Sequence, residues 1–363
     1  MYIQDLKLIN FRNYSNIYLE FNKNINLLVG KNGQGKTNIL EAIYMLSIGK
    51  SFRTNKDSEI IMFDKESLYV SGSYFKNYNN NNIEIVVKKG SKKGIKINKS
   101  SINKIEHLLG KFNVVIFSPE DLKLVKEGPS ERRKFIDREI SQILPRYYHH
   151  LYKYNKILTQ RNKHLKEGKI DASLIDVFDD TLSSEGAWIY FYRREFTQKI
   201  GKIASEIYRK LTDNVEVLDI KYVTQIDISG DYNHIKENLY SRIKASFKDD
   251  LMNKITKIGP HRDDIKIFIN NFDSKFYASQ GQQRTAAISL KLSEIYLIKE
   301  ETNEYPVILL DDIFSELDEK RQKLLIDNLN NFQIFITTAE QSHKEIFKQK
   351  DLKIFNIDKG KVI

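Results

Sequence analysis

A glycine-rich segment near the start of the chain combines the residue types that bind phosphate groups. It has the pattern G-x-x-x-x-G-K-[ST] and consists of Gly30, Lys31, Asn32, Gly33, Gln34, Gly35, Lys36 and Thr37. Glycines let backbone N–H groups surround phosphates, Lys36 can reach the β- and γ-phosphates, and the Thr37 hydroxyl can bind Mg²⁺. An apolar run precedes the segment and a helical pattern follows it, so a helix N-terminus adds partial positive charge. The segment therefore predicts a binding site for ATP, with Mg²⁺ as cofactor.

A second segment supplies the acids that such a site needs. Val307 to Leu310 are apolar and are followed by Asp311 and Asp312. We predict that Asp311 holds Mg²⁺, directly or through water, and that Asp312 orients the attacking water. On its own, an apolar strand that ends in two aspartates is often a surface turn, so the prediction depends on the phosphate-binding segment.

Two further segments are similar to motifs of ABC-type ATPases. Ser279 to Gln283 open a helical pattern before the Asp-Asp strand, and this order resembles the signature motif, in which a serine and a helix N-terminus contact the γ-phosphate held by the other subunit. The resemblance implies that Ser279, Gly281 and Gln282 bind nucleotide across a dimer. Residues 315–318 resemble the D-loop of the same superfamily. Taken alone, Ser279 and its neighbours are also compatible with an ordinary helix N-cap.

The elements that must position these residues alternate between strands and helices. Hydrophobic periodicity and turn residues set their approximate bounds. The predicted strands lie over 3–11, 17–21, 25–29, 67–98 (a meander with an Asn-rich loop at 77–82), 215–228, 265–277 (a hairpin turning at 270–271), 307–310 and 333–337. The predicted helices lie over 38–46, 130–211 (broken at Pro145 and at 168–171), 235–247, 282–300 and 319–329.

Composition narrows the class of protein and of partner. The 363 residues include 59 Lys and Arg against 48 Asp and Glu, a net charge of +11 that favours a polyanion, nucleic acid before a membrane surface. A chain rich in Lys, Asn and Ile can also reflect genome composition. The absence of cysteine excludes disulfides, thiolate metal sites and cysteine nucleophiles. No apolar run is long enough for a membrane span and no secretion signal is evident, so we expect a cytoplasmic protein.

A basic segment in the helical region is a candidate DNA-binding surface. Its cations could neutralise phosphates and its tyrosines could stack on bases. For any individual residue, a place on a solvated helix face with the tyrosines packed inward is an equal alternative, but for the segment as a whole the DNA-binding interpretation is favoured. The cations are Arg132, Arg133, Lys134, Arg138, Arg146, Lys153, Lys156, Arg161, Lys163, Lys166 and Lys169, and the tyrosines are Tyr147, Tyr148, Tyr152 and Tyr154. The histidines do not cluster at metal-binding spacing; His149, His150 and His261 are predicted to be structural.

Several spaced motifs together resemble the RecF family of bacterial recombination and repair ATPases, which are related to the heads of SMC proteins. Besides the segments above, they are Leu8 to Tyr14, Phe117 to Leu122, Gly128 to Arg133 and Gly259 to Asp264. The resemblance covers essentially the whole chain. It implies an ATP-dependent homodimer on single-stranded, gapped or junction DNA, cooperation with a RecR mediator, and RecA loading during gap repair and the SOS response. It also implies weak, DNA-stimulated ATP hydrolysis and association with the nucleoid.

The predicted fold is α/β, an ABC-type ATPase head without a long coiled-coil arm. A mixed α/β lobe I would combine residues 1–115, which carry the phosphate-binding segment, with residues 255–363, which carry the signature, Asp-Asp and D-loop segments. A mainly helical lobe II would span 116–254. Relatives outside the RecF family usually carry Glu at the position of Asp312, so we expect slow hydrolysis, suited to a clamp. The alternatives are a phosphotransferase acting on a small molecule and the nucleotide-binding subunit of a transporter.

Overall fold

The computed structural model describes residues 1–168, 171–318, 321–322, 325, 329, 332–339 and 351–363. The chain divides into two compact units. The first combines Met1–Asp121 with Glu294–Ile363, and the second is Leu122–Ser293. Within the part of the chain that the structure describes, no helix is long and apolar enough to cross a membrane.

The sequence pattern puts residues 255–293 in the ATP-binding lobe, whereas the structure groups them with the second unit. The reason is strand pairing, because strand Asp264–Ile269 pairs along its whole length with strand Leu218–Val223. The residues before the long helix are held in the same unit, since the Gln283 side chain donates to the carbonyl oxygen of Ser274 at 3.0 Å. The signature segment therefore belongs to the second unit.

The described part of the first unit contains two sheets and a buried helix of 13 residues. Its strands are β1 (Tyr2–Ile3), β2 (Asp5–Phe11), β3 (Tyr14–Glu20), β4 (Ile25–Val29), β5 (Ser67–Lys76), β6 (Asn79–Lys88), β7 (Gly94–Ile97), β8 (Ser100–Ile102), β9 (Val114–Phe117), β13 (Val307–Leu310), β14 (Ile334–Thr338), β15 (Leu352–Asp358) and β16 (Lys361–Val362). Its first helix is α1 (Lys36–Ile48). Among the described residues, β1 to β3 and β5 to β8 form an antiparallel sheet, and the remaining strands form a second sheet in the order β16-β15-β4-β14-β13-β9.

The second sheet is parallel apart from the terminal β16, and this topology positions the site. β14 lies between β4 and β13, and pairs in parallel with both. Because the carboxyl ends of parallel strands meet at one edge of a sheet, the segments after β4 and β13 emerge side by side. Every residue of β4 and of β13 is buried, as continuous apolar runs predict.

A single hydrophobic core joins α1 to both sheets. Leu8 and Val70 of the antiparallel sheet, Ile43 of α1, and Leu28 and Leu309 of the parallel sheet belong to one buried cluster. Nearly the whole circumference of α1 is buried, including Glu41. The helix that follows the phosphate-binding segment is therefore fixed by packing on both sides.

The second unit is mainly helical and contains a small antiparallel sheet. Its helices are α2 (Lys123–Lys126), α3 (Pro129–Ile143), α4 (Pro145–Glu167), α5 (Ala172–Leu211), α6 (Tyr232–Ala245), α7 (Phe247–Asn253), α8 (Ser274–Tyr277) and α9 (Gln280–Thr302), of which α9 continues into the first unit. Its strands are β10 (Leu218–Val223), β11 (Asp264–Ile269) and β12 (Phe272–Asp273).

Several predicted elements differ from the structure in local detail. The Asn-rich loop at 77–82 is wrong, because β6 begins at Asn79 and only Asn77 and Tyr78, both at positive φ, form the turn. The hairpin over 265–277 is correct only in its first half, since β12 ends at Asp273 and α8 follows. Strand structure within 215–228 is confined to β10. The predicted helix over 319–329 lies largely outside the described residues.

Candidate nucleotide-binding site

The phosphate-binding segment connects β4 to α1 and is braced by the turn between β2 and β3. The Asn13 side chain donates to the carbonyl oxygen of Gln34 at 2.9 Å, and the Tyr14 hydroxyl donates to that of Gly35 at 3.0 Å. Gly35 has a φ of +117°, and a Cβ there would lie 2.9 Å from the Tyr14 hydroxyl. Only glycine fits both this backbone conformation and this contact.

The C-terminal hairpin of β15 and β16 braces the other side of the segment. The backbone N–H of Gly360 donates to the carbonyl oxygen of Gln34 at 3.0 Å, and that of Lys359 donates to the Gln34 side-chain oxygen at 2.6 Å. A Cβ at Gly30 would lie 2.3 Å from the carbonyl oxygen of Ile357 in β15. The loop conformation is thus fixed by residues from both ends of the chain.

Lys36 is held in the centre of the loop with its ammonium group directed at loop carbonyls. It is 6% exposed, and its Nζ donates to the carbonyl oxygens of Gly30 at 2.6 Å and Lys31 at 3.0 Å. Burial lowers the pKa of Lys36, and the nearby Asp312 and Asp311 carboxylates oppose that change. Among the described residues no carboxylate contacts this ammonium group directly, and a buried cation of this kind gains strongly from an anionic ligand.

Asp311 follows β13 and meets the start of α1. The Thr37 hydroxyl donates to Asp311 Oδ1 at 2.8 Å, and the Thr337 hydroxyl donates to the same oxygen at 3.0 Å. Burial raises the pKa of Asp311, whereas the hydrogen bonds from Thr37 and Thr337 oppose this effect and the Asp312 charge adds to it. The backbone N–H of Asp312 donates to Thr337 Oγ1 at 2.9 Å, and Asp312 itself has a φ of +52°.

These residues surround a cavity of about 330 Å³. It is lined by Asn32, Gly33, Gly35, Lys36, Thr37, Asn38, Arg53, Asp312 and Thr337. The structure thus brings together Lys36, Thr37, Asp311 and Asp312, as their spacing in the sequence predicts. Of the remaining predicted loop residues, Gly30, Lys31 and Gln34 shape the loop through the backbone contacts described above.

Sequence reasoning missed several residues of this site. Arg53, whose side chain is 46% exposed, lines the cavity and donates to the side chain of Asn38 at 2.9 Å. Thr337 supports both aspartates from the end of β14. Neither residue lies in a pattern with its own chemical meaning, because each reaches the cavity through the tertiary fold alone. Asn13 and Tyr14 lie in a motif that we identified, without a role assigned to them.

The donor set is suited to Mg²⁺. Thr37 and Asp311 present a hydroxyl and a carboxylate oxygen in direct contact, and hard cations prefer oxygen ligands. Among the described residues no cluster of three or more His, Cys, Asp or Glu could hold a metal ion. A site of one hydroxyl, one carboxylate and phosphate oxygens does not require such a cluster.

The signature residues form the start of α9 in the second unit. The backbone N–H of Ser279 donates to the Gln282 side chain at 2.8 Å, and the N–H of Gln282 donates to Ser279 Oγ at 3.3 Å. Ser279 and Gln282 therefore form a reciprocal capping box at the N-terminus of α9, as the N-cap interpretation predicts. Gln282 also donates to Glu216 at 2.6 Å, which ties the helix start to the segment before β10. Ser279 is exposed, while Gly281 and Gln282 are half-buried.

Several residues that the sequence predicts for the DNA-binding surface are buried, so the prediction is wrong for them. Arg132 forms a bidentate pair with Asp264 at 2.7 and 2.8 Å. Arg161 is fully buried between Asp179 and Asp250. Tyr147 and Tyr154 are also buried, so they cannot stack on bases without unfolding. Lys134, Arg146, Lys153, Lys156, Lys163 and Lys166 are exposed, as is Tyr152; Lys169 lies outside the described residues.

His150 and His261 both have hydrogen-bond partners within the protein. His150 Nδ1 lies 2.6 Å from the Glu185 carboxylate, and the ring stacks on Trp188. His261 is buried, with Nδ1 2.7 Å from the Tyr154 hydroxyl and Nε2 3.0 Å from the Thr256 carbonyl oxygen. Burial lowers the pKa of His261 to about 4.

The fold and the site define a nucleotide-binding head of the ABC and SMC class, and comparisons with known proteins agree. Residues 2–362 match the family described as RecF/RecN/SMC N terminal domain. The chain is 55% identical to the DNA replication and repair protein RecF of Clostridioides difficile (strain 630), across 100% of this chain and 98% of that protein. It is 46% identical to the protein of the same name from Alkaliphilus oremlandii (strain OhILAs), over all of both chains.

Solved structures lead to the same result. A structure of the recombination mediator protein RecF-ATP in the RecFOR pathway has a TM-score of 0.92 and 40% identity, over 100% of this chain and 97% of the other. An Smc head bound to the C-winged helix domain of ScpA, with a TM-score of 0.55 and 17% identity, covers 100% and 97% of the two chains and shares the fold alone. The chain belongs to the RecF family of DNA replication and repair proteins. Family membership decides against the interpretation as a small-molecule phosphotransferase.

Proposed function

We propose that this chain is an ATP-dependent DNA clamp that acts in replication and recombinational repair, with slow, DNA-stimulated hydrolysis of ATP. The observation that carries the proposal is that Lys36, Thr37 and Asp312 line one cavity, with Asp311 hydrogen-bonded to Thr37. Relatives with RecF-ATP structures support ATP as the nucleotide. In this proposal the first unit is the ATP-binding lobe and the second unit is the mainly helical lobe.

The proposed roles follow from the geometry of the site. Lys36 would exchange its two loop carbonyl acceptors for phosphate oxygens, which are stronger acceptors because they are charged. Thr37 and Asp311 would hold Mg²⁺, which supplies charge neutralisation at the β- and γ-phosphates when it is bound. Asp312 would orient the attacking water from the next position along the chain.

The left-handed conformation of Asp312 turns the chain directly after β13. Asp and Asn tolerate this conformation better than most residues. Because the Asp312 N–H is fixed by Thr337, the position of the carboxylate depends on β14 as well as β13. This support is what a residue that must orient a water molecule requires.

Two features of the second unit support contact with a second copy of the chain. Ser279 is exposed at the N-terminus of a long helix, where it could meet a partner's γ-phosphate. Phe276 and Tyr277, directly before it, are 71% and 73% exposed. Large aromatic residues exposed beside a polar recognition group are typical of interface residues. We therefore propose an ATP-dependent homodimer in which Ser279, Gly281 and Gln282 act across the two-fold axis.

The proposed partners outside the dimer follow from the family. Relatives are named for DNA replication and repair and for the RecFOR pathway. We propose that the chain binds gapped, junction or single-stranded DNA, cooperates with a RecR-like mediator and thereby supports RecA loading. When bound to DNA it would be associated with the nucleoid in the cytoplasm.

Replacement of Ser279 by Arg tests the dimer. The variant should bind ATP through its own phosphate-binding segment, remain monomeric, and hydrolyse ATP poorly, because a bulky cation occupies the place of the partner's nucleotide. Light scattering with a slowly hydrolysed ATP analogue measures the association, and ADP should leave even the wild-type chain monomeric. Ser173→Arg, at the exposed start of α5, is a matched control for the added charge. A Ser279→Arg chain that dimerises as well as wild type would contradict the proposal.

A further inference from the structure

The segments Gly128 to Arg133 and Gly259 to Asp264 have no role in the nucleotide site, yet the second unit brings them to one cavity. Its volume is about 240 Å³. Its wall includes Ser130, Arg133 and Asp137 of α3, Tyr154 of α4, Arg193 of α5, and His261 of the segment before β11. Most of the residues that line the cavity are therefore polar or charged, beside Leu151, Ile189 and Pro260.

Three of these groups have their hydrogen bonds satisfied by the protein. Arg193 donates from Nη2 to Asp137 at 2.7 Å and from Nη1 to the Pro260 carbonyl oxygen at 2.7 Å. His261 Nε2 must carry the proton, because it faces the Thr256 carbonyl oxygen, so Nδ1 accepts from the Tyr154 hydroxyl. These groups give the cavity its shape and leave little donor capacity for a ligand.

Arg133 and Ser130 differ from them. Arg133 is half-buried and donates from Nη1 to the carbonyl oxygen of Asp263 at 2.6 Å, but within the described part of the chain it forms no ion pair. A guanidinium has five N–H donors, so most of them are available. Ser130 has no hydrogen-bond partner for its hydroxyl among the residues that the structure describes. Both side chains belong to the first turn and a half of α3 and line the same wall.

The electrostatics of the cavity favour an anion. Among its charged lining residues, Arg133, Lys134 and Arg193 stand against the single carboxylate of Asp137. Lys134 lies at the exposed rim, where it pairs with Glu131 at 2.6 Å. Burial lowers the pKa of His261, the hydrogen bond to Thr256 opposes this change, and the charges of nearby arginines, including Arg133, lower the pKa further. Burial lowers the pKa of Arg133, and the carboxylates of Asp264, Asp263 and Asp137 oppose that change. Because none of these carboxylates forms an ion pair with Arg133 in the described part of the chain, its remaining N–H groups can donate to an oxyanion.

We propose that this cavity binds a phosphate group, which the Arg133 guanidinium and the Ser130 hydroxyl hold. The cavity is smaller than the ~300–1,000 Å³ of pockets that enclose a whole small molecule, so it suits a phosphate and the sugar beside it. The phosphate can come from the DNA backbone or from free inorganic phosphate. Binding of a DNA phosphate rests on the proposed function, because it requires that the chain bind DNA, whereas binding of free phosphate does not.

Two variants of the full-length chain test the site on a fluorescently labelled oligothymidylate. Arg133→Gln should weaken binding about tenfold, the effect of one charge-assisted hydrogen-bonding contact, and should reduce the salt slope by about 0.7. Ser130→Ala should weaken binding about threefold without changing the slope, because it removes a hydrogen bond and no charge. Lys104→Gln, which removes a 64% exposed cation of the first unit outside both the cavity and the candidate DNA-binding surface, is the matched control and should change affinity by less than about twofold.

Titration calorimetry with inorganic phosphate at constant ionic strength separates the two sources. The phosphate-binding segment at Lys36 also binds phosphate, so only the heat that Arg133→Gln and Ser130→Ala remove counts for this cavity. Loss of DNA affinity in both variants assigns the site to DNA phosphate, and loss of the phosphate heat alone assigns it to free phosphate. Thermal unfolding confirms that each variant folds, and Ser130→Ala keeps the test valid if Arg133→Gln does not.

Unchanged DNA affinity and unchanged phosphate heat in both variants would overturn the inference. An equal effect of Arg133→Gln and Lys104→Gln, with none of Ser130→Ala, would also overturn it, because that pattern reflects net charge alone. Failure of the proposed function is a different result. In that case the wild-type chain itself would bind no DNA and would show no association with ATP.

Discussion

The two compact units differ in the groups that hold their buried cations. In the first unit, Lys36 donates to two backbone carbonyl oxygens of a glycine-rich loop, and a cavity lies beside it. In the second unit, Arg161 donates to two buried carboxylates, Asp179 at 2.8 Å and Asp250 at 2.7 Å, and to a threonine hydroxyl. A cation held by neutral carbonyls remains available for an anionic ligand, whereas one enclosed by carboxylates stabilises the fold.

This difference shows that the number of basic residues in a segment says little about ligand binding. Arg132, Arg161 and Arg193 contribute to the net charge of the chain, but each is paired with an aspartate inside the second unit. Their contribution to a DNA-binding surface is therefore small. The exposed lysines of α4 and the half-buried Arg133 remain candidates for phosphate contacts.

The largest expected effect concerns Asp312 of the nucleotide site. Asp312→Asn keeps the size of the side chain and removes its negative charge, so ATP turnover should fall by about 10²–10⁴-fold while ATP binding and dimer formation persist. Steady-state phosphate release measures the turnover and titration calorimetry measures binding. Equal turnover in the variant and the wild type would show that Asp312 does not orient the water.

Arg161 should show the opposite behaviour, with a large effect on stability. Arg161→Leu leaves Asp179 and Asp250 buried without their cation, which should lower the free energy of unfolding by about 3–5 kcal/mol. Urea denaturation measures the loss. Lys163→Leu, two residues along the same helix and exposed, should change stability by less than about 0.5 kcal/mol. A loss of the same size in both variants would contradict the structural role of Arg161.

Much of the first unit could be predicted from the sequence because its signals are local. The spacing of Gly30, Lys36 and Thr37 predicts the phosphate-binding segment, and the apolar run before Asp311 predicts the strand that leads to it. The partners of buried arginines could not be predicted in this way. Arg161 and Asp250 lie far apart in the sequence, and no local pattern distinguishes a lysine-rich helix face in water from an arginine that packs inward. For the same reason, the sequence did not identify Thr337 and Arg53 as residues of the nucleotide site.

The domain boundary shows a second limit. The order of motifs along the chain groups residues 255–293 with the Asp-Asp strand in the predicted ATP-binding lobe. Contacts follow strand pairing instead, and β11 pairs with β10 of the second unit. Segments that follow one another in the order of motifs therefore need not pack in the same unit.

Lys36→Ala tests whether the buried cation of the first unit binds the nucleotide and does not stabilise the fold. The change removes a cation that has charge-assisted contacts with phosphate, so ATP affinity should fall by about 1.5–3 kcal/mol, roughly tenfold to more than a hundredfold. The free energy of unfolding should stay nearly constant, since only loop carbonyls lose a donor. Titration calorimetry and urea denaturation on the same sample measure both quantities. Unchanged ATP affinity would contradict the assignment of the nucleotide site.

The smallest expected effect concerns pH and two buried groups of the second unit whose contributions oppose each other. Burial lowers the pKa of His261 to about 4 and raises the pKa of Asp263 to about 6. Below pH 6.5 the unfolded chain protonates His261 while the folded chain does not, so this histidine destabilises the fold as the pH falls from about 6.5 towards 4. Asp263 takes up a proton in the folded chain first, so it stabilises the fold as the pH falls through 6.

Asp263→Asn separates these two contributions. The asparagine side chain is the same size as the carboxylate of Asp263 and can still accept from the Tyr222 hydroxyl, so the packing should persist. Between pH 6.5 and pH 5.5 the histidine alone should then cost about 1 kcal/mol of unfolding free energy, and the wild-type chain should lose less than half of that. Urea denaturation at the two pH values measures both slopes, and all other titrating groups are common to the two proteins. The double variant Asp263→Asn, His261→Gln should remove the extra slope. If the single variant and the wild type lost stability equally between the two pH values, the opposing titration of His261 and Asp263 would be wrong. The side chains of His261 and Asp263 would then have to be as well solvated as the charged groups on the exposed face of α4.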